Sequence, residues 1–262
     1  MNIIVCIKQV PATSQVEIDP ESGTLRRMGT ESKTNPYDLF GIEIALRIKE
    51  KLGGTVTAVT MGPPQAEEMM KDAFSMGIDR AVILSDKKFA GSDVLATSYT
   101  ISQGISAIGG ADIIICGKQT TDGDTAQIGP AIAEHLHLPH TAWVSEIVSI
   151  DNEKISVRQN LSDVTQVSEM NYPCLITVDK DIVVPRLPSY KLMKATKDKK
   201  AEFLSFEDMP DKDLSRYGLV GSPTVVERIF PPDKMEEQIY IKGNAGEKAK
   251  AFYEILASKK FI

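Results

Sequence analysis

The chain is expected to fold as an α/β protein, a Rossmann-like, doubly wound, mostly parallel sheet with helices on both faces and a C-terminal extension arm. Short apolar, β-branched runs at 2–8, 55–61, 80–84 and 113–116 alternate with amphipathic segments of helical period, the pattern of successive βαβ units with right-handed crossovers. Ile113, Ile114, Ile115 and Cys116 are apolar at consecutive positions, as in a strand buried on both faces. A polar loop then separates that run from the next helix, the place where open α/β sheets hold ligands.

Each element has its own signal. After the first strand, Val16-Glu17-Ile18 alternates and Gly23 offers a turn, which reads as a short hairpin arm. Asn35 as N-cap and Pro36 at the first helical position start a helix that runs to Leu52. Phe40, Ile44, Ile48 and Leu52 share one face of it, and Glu43, Arg47 and Glu50 share another. Gly62-Pro63-Pro64 turns into a helix over 64–76, whose stripe of Ala66, Met69, Met70 and Ala73 fills core. Ser92 caps a helix over 93–108, with Leu95, Ile101, Ile105 and Ile108 inward. His135, His137 and His140 cluster at a helix end, but their spacing points them apart and no Cys or carboxylate completes a metal set, so no metal is expected. A β region follows, with strands at Trp143–Ile150, Lys154–Gln159, Thr165–Glu169, Leu175–Val178 and Ile182–Val184, some of it antiparallel.

After Pro185 prolines punctuate the chain, and Lys191, Lys194, Lys197, Lys199 and Lys200 form a basic run. Residues 1–184 thus read as a nucleotide-binding domain and 185–262 as an arm that packs on something else, with a helix over about 246–258. With 42% hydrophobic residues and a net charge of −6, the chain can build a core and is a poor match to nucleic acid. Three cysteines without a CxxC fit a reducing compartment, where Cys6 and Cys174 pack in strands. No apolar run is long enough for a signal peptide or a membrane span, which makes a cytoplasmic location the expectation.

The loop after residue 116 carries the chemistry. Asp124 and Gln127 have the spacing of a capping box, and a helix start offers free N–H groups and a positive dipole end to phosphate. Gly117 and Gly123 allow close approach of backbone to a ligand, and Thr120, Thr121 and Thr125 add hydroxyls. The same residues also suit a plain cap and turn. Asp122 and Asp124 do not suit a phosphate and instead match ribose or ribityl hydroxyls, or order the loop. Gly129-Pro130 either starts the regular helix late, with Pro130 at its first position, or kinks it.

With these residues placed, the chain resembles the β subunit of electron-transfer flavoproteins over essentially its whole length. The resemblance lies in Val5-Cys6-Ile7-Lys8-Gln9-Val10-Pro11, Asn35-Pro36, Met61-Gly62-Pro63-Pro64-Gln65, Ala73 to Arg80, Gly117-Lys118-Gln119 and Lys191-Leu192-Met193-Lys194-Ala195. It implies pairing with an α subunit that holds one FAD. In ordinary members the β subunit holds AMP; in the electron-bifurcating branch the same pocket holds a second FAD. Thr121 to Pro130, with Gly123 and Ala126 small, looks like the bifurcating form. By position the pocket takes Cys6, Asn35, Pro36, Tyr37, Asp38, Met61, Gly117, Lys118, Gln119, Thr120, Thr121, Asp122, Gly123, Asp124, Thr125, Ala126, Gln127 and Ile128. The implied activity is hydride acceptance from NADH, with electrons sent to the α-subunit FAD and an acyl-CoA dehydrogenase-like partner, and to ferredoxin or flavodoxin. No acid, base or nucleophile of this chain is required. The alternatives are an ordinary carrier with structural AMP and a stand-alone nucleotide-binding regulator. The segment Pro188–Lys194 corresponds to the family's dehydrogenase-recognition loop, with Leu187 and Leu192 as candidate anchors.

Overall fold

The computed structural model describes residues 1–12, 32–227 and 240–262. The expected hairpin arm around Val16 to Gly23 lies outside the described residues. The described chain divides after Glu227 into two compact units.

The first unit opens with strand β1 (Asn2–Cys6), two residues shorter than the apolar run. A small antiparallel pair, β2 (Gln9–Pro11) and β3 (Ser32–Thr34), leads into helix α1 (Pro36–Leu52). There follow β4 (Thr55–Met61), a 3-10 turn (Pro64–Ala66), α2 (Glu67–Met76), β5 (Arg80–Leu84) and α3 (Val94–Ala107). Next come β6 (Ile113–Gly117), α4 (Ile128–His135), β7 (His140–Ile150), β8 (Lys154–Asn160), β9 (Thr165–Asn171) and β10 (Cys174–Val178). Helix α5 (Tyr190–Ala195) and strand β11 (Glu202–Leu204) complete the regular elements.

Among the described residues, nine strands form one sheet in the order β11-β5-β4-β1-β6-β10-β7-β8-β9. All neighbours from β11 to β7 pair in parallel, and β8 and β9 extend the sheet as an antiparallel meander. This is the doubly wound α/β fold the periodicity predicts. Alternate residues of each central strand face opposite ways, so each strand feeds two cores. Ile3, Val5, Ile113 and Ile115 pack with Ile42 and Ala45 of α1 and Met70 and Phe74 of α2. Ile4, Cys6, Ile114 and Cys116 pack with Ile101 and Ile105 of α3 and Ile132 of α4 on the other face.

Several local expectations are corrected. Asp93, not Ser92, caps α3: its carboxylate accepts the Ala96 N–H, while Ser92 donates to the Phe89 carbonyl. Leu95 points out rather than in and is 48% exposed. Residues 182–184 form no strand. Within 185–227 the chain returns to the sheet: β11 pairs with β5, and Phe206, Met209 and Tyr217 are buried in the α3/α4 core. In the second unit, Asn244 and Glu247 close a capping box on α6 (Ala245–Ser258), none of whose residues is buried.

Glu43, expected on the polar face of α1, is only 3% exposed. Arg186 explains this: its Nε and backbone N–H reach one Glu43 oxygen at 2.7 and 3.1 Å, and Arg47 reaches the other at 2.7 Å. Burial works to raise the Glu43 carboxyl, but the Arg186 and Arg47 donors outweigh it and hold the group below its usual range. That contribution is complete above the ordinary glutamate range and is lost as pH falls through the lowered value. Arg186→Ala is therefore expected to cost about 2 kcal/mol at neutral pH. Urea unfolding at pH 7 and in mild acid checks it: the gap from wild type should narrow in acid, and a gap independent of pH refutes the assignment.

Candidate nucleotide site at the carboxyl end of the sheet

Strands β1 and β6 lie side by side at the centre of the sheet, and the chain leaves them in opposite directions. From β1 it crosses by α1 to β4 on one side; from β6 it passes by α4 to β7 on the other. This divergence opens a crevice beyond the carboxyl ends of the two strands, the switch point at which doubly wound sheets hold ligands. Cys6, the last residue of β1, and Cys116, the last but one of β6, are direct register partners. Hydrogen bonding to Cys6 and burial push the Cys116 thiol well up, so it is a neutral packing group and not a nucleophile.

Asn35 joins the two loops. It is the N-cap residue of α1, as expected, and fully buried, but its side chain makes no cap bond to the helix. Instead its Nδ2 donates to Asp38 Oδ1 at 2.9 Å and to the Gln119 carbonyl at 2.8 Å, and its Oδ1 accepts the Thr121 N–H at 3.3 Å. Its own N–H donates to the Lys8 carbonyl at 2.8 Å. Pro36 still holds the first helical position.

Asp38 is buried beneath this junction and accepts the Lys8 N–H at 2.7 Å. Burial pushes its carboxyl up to about 7, against the lowering effect of donors from Asn35, Lys8 and Gly117. A folded-state value above the ordinary one means the native state holds the proton more tightly. Its contribution to stability is thus complete below 3.8 and is lost as pH rises through about 7. Unfolding of wild type and Asp38→Asn at pH 5 and pH 8 tests this. The wild type should lose stability across that interval relative to the non-titrating variant, and parallel profiles would exclude the shift.

Gly117 sits against the same junction. A first side-chain carbon there would lie 2.3 Å from Asp38 Oδ1 and 2.8 Å from the backbone carbon of Tyr37. Glycine is required by this close approach of β6 to the start of α1. Gly129, in the first turn of α4, is similar: a side chain would meet Thr177 Cγ2 at 2.3 Å.

The loop over 118–127 does not form the expected capping box. Asp124 accepts from Gln119 Nε2 through its side chain, and its N–H donates to the Thr120 carbonyl at 3.0 Å. Asp124 and Ala126 both have left-handed backbone, φ 51° and 55°, which prevents a helix there. Helix α4 starts instead at Ile128, with Gln127 as N-cap without a side-chain bond and Pro130 as its third residue rather than its first. Strained backbone of this kind concentrates at binding loops.

Among the remaining expected site residues, Thr121, Asp122, Gly123, Asp124, Thr125 and Gln127 are exposed along the loop, and Thr120, Lys118 and Tyr37 are half-buried. Met61 ends β4, one strand away from the crevice. Lys8, absent from the expected site residues, reaches across and pairs with Asp122 at 2.7 Å. Burial works against ionisation of Asp122, but the Lys8 ammonium and the Thr120 hydroxyl outweigh it and hold the carboxyl below its usual range. The place of Lys8 at the end of the first apolar run was the available signal. Lys118 pairs with Asp179 at 3.1 Å.

These groups fit a nucleotide. The crevice offers hydroxyls from Thr120, Thr121 and Thr125, the open amide end of α4, and a Lys8 cation shared with Asp122. A side chain at Gly123 would meet only Thr120 Oγ1, at 3.4 Å, so the loop tip has room beside it. Among the described residues, no group of three or more His, Cys, Asp or Glu is placed to hold a metal. Nor is any helix among them long and apolar enough to cross a membrane.

Fold and crevice define a doubly wound α/β protein with its polar loop at the switch point. Residues 22–209 match the electron transfer flavoprotein domain. The chain belongs to the electron transfer flavoprotein family. Over 263 residues it is 41% identical to the electron transfer flavoprotein subunit beta of Thermoanaerobacterium thermosaccharolyticum, covering 100% of both chains. It is 44% identical over 228 residues to the subunit of that name from Clostridium acetobutylicum, covering 87% of each. It is 43% identical over 246 residues to Protein FixA of Sinorhizobium fredii, covering 91% of this chain and 86% of that protein.

Proposed function

We propose that the chain is the β subunit of a cytoplasmic heterodimeric electron-transfer flavoprotein, paired with an α subunit, and that its switch-point loop holds FAD. When bound, FAD supplies hydride acceptance from NADH and single-electron delivery in two directions: to the α-subunit FAD with an acyl-CoA dehydrogenase-like enzyme, and to ferredoxin or flavodoxin. The observation that carries the choice of FAD over AMP is the open loop tip: a first side-chain carbon at Gly123 would meet only Thr120 Oγ1, at 3.4 Å, which leaves room beside the loop. The chain's own residues bind and orient. The α4 amide end and the threonine hydroxyls receive the polar part of the nucleotide, Lys8 stays paired with Asp122, and the Asn35–Asp38 junction keeps both loops in place.

Residues 185–262 carry the surface that meets the α subunit and the dehydrogenase, although 185–227 also packs back on the sheet through β11. Support comes from Leu187 and Tyr190, which are 86% and 76% exposed. Leu192 lies against Gly77, within 3.9 Å of where its side chain would begin, so Leu187 is the anchor of the recognition segment.

Nucleotide analysis of the purified αβ complex tests this. Two FAD per heterodimer are expected, with direct anaerobic reduction by NADH and ferredoxin reduction only when the high-potential acceptor is present. One FAD with one AMP, and no reaction with NADH, would assign the chain to the ordinary carriers.

A further inference from the structure

We propose that Trp143 is the stacking surface for the planar heteroaromatic ring of the bound nucleotide, with Lys118 held beside it for the anionic portion. The inference rests on the nucleotide reading above and extends the site from the β1/β6 crevice to the first half of β7, beside the end of β10.

The geometry starts from an irregularity in pairing. Strand β7 runs parallel to β10 with Thr141 opposite Ile176, then with Val144 opposite Val178, so Ala142 and Trp143 together oppose Thr177. Bulges of this kind re-aim a side chain and gather next to active sites. Trp143 has φ 58°, a left-handed conformation that is strained for so large a residue. The strain is held in place. The Trp143 N–H donates to Oγ1 of Thr177 at 2.8 Å, and Thr177 is 1% exposed.

The bulge aims the indole at the rim where β6 and β10 end. The Lys118 N–H donates to the Val178 carbonyl and the Asp179 N–H to the Val144 carbonyl, both at 2.9 Å. Lys118 Nζ, 3.1 Å from Asp179, lies 4.9 Å from the centre of the Trp143 ring. Lys118 follows Gly117 directly, so this rim is continuous with the loop that carries Thr120 and Asp122.

A core role does not account for the arrangement. Trp143 is 40% exposed, so a strained backbone presents a large aromatic ring to solvent. A partly exposed aromatic ring with a cation over one face suits a nucleotide, whose rings stack on aromatic side chains and whose phosphates are anionic.

Trp143 is the chain's single tryptophan, so its emission reports on this rim alone. The αβ complex, stripped of nucleotide, is titrated with FAD and with AMP, and the emission of Trp143→Phe is subtracted from wild type. The difference signal is expected to be quenched on binding. Trp143→Gly and Trp143→Leu should each raise the dissociation constant about tenfold, and Trp143→Phe by less than about threefold. Glycine tolerates the left-handed backbone, so the nucleotide-free Trp143→Gly complex should melt no lower than wild type. An unchanged dissociation constant in the Gly and Leu variants overturns the stacking role and leaves the crevice reading standing. Failure of the wild-type complex to bind either nucleotide at the β subunit overturns both. Loss of assembly with the α subunit in the variants would give Trp143 to a protein interface and overturn the proposal.

Discussion

Gly117→Ala is expected to destabilise the protein by about 4 kcal/mol, near the upper end for a single methyl group. The added carbon would overlap Asp38 Oδ1 at 2.3 Å, the Tyr37 backbone carbon at 2.8 Å and the Asp38 nitrogen at 3.0 Å. Two of these three atoms are backbone in the first turn of α1 and cannot swing aside. Asp38 is pinned in turn by Asn35 and by the Lys8 N–H. Relief requires β6 and α1 to separate, which would open the packing of Gly41 on Val5 and Ile115. Urea unfolding of the variant measures the loss, and a difference below about 1 kcal/mol would show that the junction yields more easily than close packing allows.

Asn35→Ala should follow closely, at about 3–4 kcal/mol. Truncation leaves the Gln119 carbonyl, the Thr121 N–H and Asp38 Oδ1 without their partner in a site where Asn35 is 0% exposed. Each unsatisfied buried group costs about 1–3 kcal/mol, reduced where water enters. Asn35→Asp discriminates the mechanism: it keeps an acceptor for Thr121 but removes both donated bonds and sets a second carboxyl beside Asp38. It should be no better than alanine at neutral pH and should recover as pH falls. An aspartate variant as stable as wild type at neutral pH would mean that the donated bonds carry little. Nucleotide content should fall in both variants, because the loop over 117–124 loses its tie to α1.

Much of this molecule was legible before its coordinates. Helix α1, strand β4 and strand β5 run over 36–52, 55–61 and 80–84, as their patterns predict. Strands of a parallel sheet covered on both faces must be apolar at consecutive positions, and helices packed on one side must repeat every three to four residues. Those requirements are local and leave a direct trace. The polar loop after β6 was legible for the same reason: it is where a doubly buried strand stops being apolar.

What only the tertiary structure decided involves partners far apart in sequence. Asn35 has the type and place of a helix cap, yet it bonds to the Gln119 carbonyl 84 residues away, which no local pattern encodes. Glu43 belongs by period to a solvent face and is buried because Arg186, 143 residues on, supplies its donors. The spacing of Asp124 and Gln127 satisfies the capping rule, but Gln119 and Thr120 in the folded loop take the Asp124 groups first. The three residues of β11 are too few to show a period, and only pairing with β5 makes them a strand. Trp143 read as an ordinary strand residue, because a bulge is created by the register of β10 beside it and not by the residue itself. Sequence by itself determined the layers and the position of the loop, since burial acts on each residue separately. The shape of the site came from pairing across the fold, where a hydrogen bond or a close approach depends on two segments at once.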